Sequence, residues 1–165
     1  MWTDIVLGIA LYVGPFAALP FVVRRRPAAR RIAILALLVT PLIGAAIYLL
    51  KNQKFSVGGL VLAYPIAMFP LGFWAALIAA LMTPIMFYLR EKYGRVVLMF
   101  AAGISGALIG SVFMVVFVRV SAWIQRPTHP VDLSFYIICG LTGGVIVAVL
   151  AAWLVGQDSE AVAVT

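Results

Sequence analysis

Long apolar stretches separated by short clusters of charge set the organisation of this chain. Read in order, the uncharged runs are Ile5 to Val23, Ile32 to Leu50, Gly58 to Leu89, Val96 to Val118 and Leu133 to Val155. Crossing a hydrocarbon layer about 30 Å thick takes about 20 helical residues, and every run is long enough. None alternates polar and apolar residues with period two, and an unpaired backbone amide in lipid costs several kcal/mol. The runs therefore read as helices and not as barrel strands. The expected fold class is all-α: a polytopic integral membrane protein with a bundle of about five transmembrane helices. Residues 1–157 form a single domain, and residues 158–165 form a short disordered tail.

The third run departs from the rest. Its 32 residues would reach roughly 48 Å as one helix, too long for one simple crossing and too short for two. Pro65, Pro70 and Pro84 interrupt it, and residues before proline are pushed off α geometry. Its first half is thus either part of one long kinked helix or a re-entrant segment ahead of a span. Thr83, preceding Pro84, is placed to satisfy a freed carbonyl. In the first run, Pro15 removes the bond to the carbonyl of Leu11, which predicts a kink near mid-membrane.

Small residues recur every fourth position. The fourth run stacks Ala102, Gly106 and Gly110, and the fifth stacks Gly140, Gly144, Ala148 and Ala152. Lipid supplies no hydrophobic drive between helices, so close backbone approach along such ridges is what joins them. These two runs are linked by one loop and are expected to pack antiparallel through these helix-packing residues. A shorter ridge, Ala10, Gly14 and Ala18, lies in the first run. Asp132 or Ser134 is suited to cap the fifth helix.

Composition supports the same class: 65% hydrophobic, 10% charged and a mean hydropathy of +1.17 leave more apolar surface than a soluble core needs. The net charge of +7 does not point to nucleic acid, because the basic residues sit at the ends of apolar runs. Arg24, Arg25, Arg26, Arg30 and Arg31 form one short loop, read as a topology anchor beside lipid head groups; Arg90, Lys92 and Arg95 form another. With five crossings, these eight basic residues lie inside, against Lys51, Lys54, Arg119 and Arg126 outside. That sets the N-terminus outside and the C-terminus in the cytoplasm. Six crossings change the balance to seven against five, which is less favourable. The first run lacks a basic segment before it and reads as a retained helix. The excess of arginine over lysine and the abundance of alanine, glycine and valine fit a GC-rich bacterial genome, and a bacterial inner membrane is the expected location.

Candidate chemistry is sparse. All five acidic residues, Asp4, Glu91, Asp132, Asp158 and Glu160, fall in loops or tails. A proton relay at membrane depth therefore has no carboxylate to use. One histidine, His129, and one cysteine, Cys139, provide neither a bis-histidine haem nor a multi-cysteine metal site, so no cofactor and no metal are expected. Tyr12 and Tyr64, with Pro65 and Pro70, are candidates to line a cavity in the outer half of the membrane, whereas Tyr48, Tyr88 and Tyr93 read as interfacial anchors. The expected partners are the lipid bilayer and another membrane protein or a second copy of the chain. The expected role is that of an accessory or structural subunit without a catalytic site. The alternative is a small oligomeric carrier or pore for an apolar or lipid-like solute.

Overall fold

Each apolar run becomes helix because, away from water, the backbone must satisfy its own hydrogen bonds. The computed structural model describes residues 2–24, 26–51, 56–67, 71–125 and 132–163. The elements are α1 (Trp2–Tyr12), α2 (Gly14–Val23), α3 (Pro27–Lys51), α4 (Val57–Ala67), α5 (Phe73–Gln125) and α6 (Leu133–Ala163). There is no strand among the described residues. Among the described residues, four helical stretches are long and apolar enough to cross a membrane: Trp2–Val23, Pro27–Lys51, Phe73–Trp123 and Leu133–Gln157.

The joint between α1 and α2 lies where Pro15 predicts it. Val13 N–H donates to Ile9 O at 2.8 Å and Ala17 N–H to Val13 O at 3.0 Å, which carries the helix across. Pro15 has no N–H for the carbonyl of Leu11. The indole N–H of Trp74 donates to that carbonyl instead, at 2.7 Å.

The third run divides. α4 ends at Ala67, Leu71 and Gly72 make a π-type turn, and α5 starts at Phe73. Tyr64 OH donates to Leu38 O at 3.3 Å. A Cβ on Gly72 would lie 2.9 Å from Pro41 and 3.0 Å from the Leu37 carbonyl. Ala76 and Ala80 share a buried cluster with Ala33 and Ala29. From Leu71 onward, successive residues meet earlier parts of α3, Gly44 first, then Pro41 and Leu37, then the cluster of Ala33 and Ala29, so the start of α5 runs antiparallel to it. The run gives two helices, α4 and α5, and the joint at residues 68–70 lies outside the described residues. Pro70 lies outside the described residues. Thr83 also differs from expectation, because its hydroxyl bonds Ala79 O at 2.9 Å and not the Ala80 carbonyl that Pro84 frees.

α5 has 53 residues, about 80 Å of helix if straight. It folds at Gly94, whose φ of 80° and ψ of 176° are essentially restricted to glycine. The Trp74 ring lies 5.8 Å from that of Phe113, and these residues are nearly equidistant from Gly94 along the chain. The arms 73–93 and 95–125 therefore lie antiparallel.

α6 packs along the second arm. Its start is capped by Asp132, whose Oδ1 accepts the Phe135 N–H at 3.3 Å. It continues to Ala163. No glycine or proline follows Gly156 to stop it. The core is built from small residues, including Ala36, Ala79, Ala102, Ala148, Ala151 and Ala152. Phe100, Ile104, Leu108, Val112 and Val116 project outward from the second arm of α5. Small side chains inside and large ones outside suit a bundle whose surroundings are hydrocarbon.

Candidate functional site

The two small-residue ridges meet each other. A Cβ on Gly106 would overlap the Gly144 carbonyl oxygen, and one on Gly110 would overlap that of Gly140; the reverse overlaps hold from Gly140 and Gly144. Ala102, Ala148 and Ala152 are buried beside them. The closest backbone approach in the bundle is therefore internal and leaves these glycines no outer face. The ridge of the first span is different: Ala10 is exposed, and a Cβ on Gly14 would meet nothing within 4 Å. Pro15 is the only buried residue of α2, and α1 has none.

The tyrosines expected to line one cavity are separated. Tyr12 OH lies 3.3 Å from Ser121 Oγ, and its ring meets Phe117 edge-on at 6.1 Å. Tyr64 bonds the Leu38 carbonyl, and Pro65 is exposed on α4. Neither tyrosine lines the apolar cavity beside α4. Its volume is about 370 Å³, and its walls are Gly44, Ala45 and Tyr48 of α3, Ala63 of α4, Leu71 just ahead of α5, Met114 and Phe117 of α5, and Phe135, Tyr136 and Cys139 of α6. Tyr48, read from sequence as an interfacial anchor, is thus a wall residue, as is Tyr136.

One polar feature caps this cavity. Lys51 Nζ donates to Asp132 Oδ2 at 2.6 Å and lies 4.1 Å from the centre of the Phe135 ring, which forms part of the wall. The bonded ammonium, with the Phe135 N–H, holds the Asp132 carboxyl below the usual carboxylate range. Sequence reasoning missed this pair, although a signal was present: opposite charges at the same-side ends of the second and fifth apolar runs.

A smaller cavity of about 100 Å³ lies at the centre of the bundle, between α3, both arms of α5 and α6. Thr40 and Ser105 face it, Ser105 Oγ donating to Ala102 O at 3.2 Å, while the buried Thr40 hydroxyl has no hydrogen-bond partner among the described residues. Arg24, Arg26, Arg30 and Arg31 are exposed around the start of α3. Arg25 and His129 lie outside the described residues. Among the described residues, no three His, Cys, Asp or Glu side chains come together as a metal site would require. No known protein family, curated protein or solved structure matches the chain.

Proposed function

We propose that the chain is a non-catalytic membrane protein of five crossings that works by packing against another membrane protein or a second copy of itself. The first span begins outside, and the last ends in the cytoplasm of a bacterial inner membrane. Five crossings rather than six are supported by the ion pair between Lys51 and Asp132. These residues end α3 and precede α6, and a 2.6 Å contact requires both on one face. An even number of crossings must therefore separate them. The two arms of α5 supply two, with α4 leading into the first.

The partner-binding reading rests on one observation. The ridges of α5 and α6 fill each other, whereas Ala10 and Gly14 on the first span are left open. A groove of this kind lets a foreign helix approach the backbone closely without displacing a side chain. Purification in mild detergent after cross-linking is the test. A stoichiometric membrane partner or homo-oligomer is expected, and Gly14→Leu should remove it while leaving the monomer folded. A monodisperse monomer from native membranes, unchanged by Gly14→Leu, would refute the reading.

The carrier reading is favoured by a different feature: among the described residues α4, one wall of the cavity beside it, has close backbone neighbours in α3 alone among the helices. A wall held on one side is free to move. Reconstituted flux of an apolar solute, lost when α4 is cross-linked to α6 through Ala63→Cys and Cys139, would establish it.

A further inference from the structure

The cavity beside α4 is a gap of specific origin. Among the described residues, the α4 backbone lies close to that of α3 and not to that of α5 or α6. The space of about 370 Å³ is what remains between Ala63 and Leu71 on one side and Met114, Phe117, Phe135 and Cys139 on the other. The volume lies at the lower end of the roughly 300–1,000 Å³ found for small-molecule pockets. The walls are almost wholly apolar, so water gains no hydrogen bonds by entering. In a bundle immersed in hydrocarbon, the slender apolar object at hand is a lipid tail.

The mouth adds a second constraint. Tyr48 lies one turn before Lys51, and the Lys51 ammonium rests over Phe135. An ammonium carries three N–H donors, of which the bond to Asp132 uses one. A phosphodiester whose tail entered the cavity would reach head-group level beside this lysine. We infer that the cavity between α4 and α6 is a binding site for one acyl chain of a bilayer phospholipid, with the lipid phosphate against Lys51. The inference rests on the membrane-spanning reading and holds whether the chain acts as partner or carrier.

Two measurements test it on the full chain. Native mass spectrometry after detergent extraction should find one phospholipid retained per chain. Ala63→Phe, which fills the gap from its α4 wall, should lower retention at least about tenfold, because excluding a few methylenes from an apolar site shifts a binding constant by that much. Lys51→Gln should lower it several-fold. The second measurement needs no substitution, because Cys139 lines the gap and is the only cysteine. Adding phosphatidylethanolamine to delipidated protein in detergent should slow its reaction with N-ethylmaleimide.

Absence of retained phospholipid, equal retention by Ala63→Phe, or an unchanged Cys139 rate would overturn the site. So would protection that appears only with free fatty acid or only on dimerisation. Release of the chain from membranes without detergent would defeat the spanning reading itself, which keeps the two failures distinct.

Discussion

At the scale of single residues, the most informative contact joins two defects that are costly apart. Pro15 leaves the Leu11 carbonyl without its helical donor, and an indole N–H buried in a bundle needs an acceptor. Trp74 Nε1 meets that carbonyl at 2.7 Å, so each satisfies the other. Trp74→Phe should therefore destabilise the protein by about 1–3 kcal/mol, the cost of an unsatisfied buried group. In a Pro15→Ala background the backbone regains an N–H at that position to bond the Leu11 carbonyl, and the same tryptophan change should cost clearly less. Thermal unfolding of the four proteins in one detergent completes the cycle. Additive effects would show that the tryptophan matters only as bulk. The kink at Pro15 was legible from sequence because proline acts on its own helix. The tryptophan's role was not, because Leu11 and Trp74 lie 63 residues apart and only packing brings them together.

At the scale of elements, the pairing of the second α5 arm with α6 carries the tightest contact. Gly106 and Gly144 approach until neither can hold a Cβ without moving backbone. Gly144→Ala should cost about 1–3 kcal/mol, as overpacking does. Gly143→Ala, whose Cβ would meet nothing within 4 Å, should be neutral or slightly stabilising. Equal loss of thermal stability in both variants would place the helix contact elsewhere.

The α6 start makes a pH prediction. Asp132 caps it and bonds Lys51, and its folded pKa is lowered by these interactions. A depressed folded pKa means the contribution is present above the unfolded carboxylate value of about 3.9 and is lost as pH falls through the folded one. The exposed setting keeps the effect small. Asp132→Asn should flatten the acid limb of the melting profile below about pH 4 and lower stability at neutral pH. An unchanged limb would mean that another carboxylate governs it. Ridge and cap were both readable, since repeats of four and a capping aspartate are local patterns. The break from α4 to α5 and the gap beside α4 were not, because a run of apolar residues does not say which neighbours its faces will lack.

At the scale of the whole molecule, the proposed five crossings rest on combining a sequence count with one contact. The positive-inside balance alone separates five from six crossings weakly, because moving a single loop changes it by one residue. The contact between Lys51 and Asp132 supports the proposed five more strongly than the count does, since a third crossing between them would hold them a membrane apart. Gly94 explains how the even number arises, by folding the 53-residue α5 back on itself. Ser56, at the start of α4, and Glu91, near the α5 fold, are both exposed and should lie on opposite faces. In a Cys139→Ala background, Ser56→Cys should react with an impermeant maleimide in intact cells, and Glu91→Cys only after permeabilisation. Labelling of both from the same side would require an even number of passes between residues 56 and 91. α4 would then cross on its own and the first arm of α5 would cross back. The start of α5 argues against that outcome, because Gly72 at Leu37 and Pro41 already lies part-way along α3, with Ala76 and Ala80 still to pass Ala33 and Ala29.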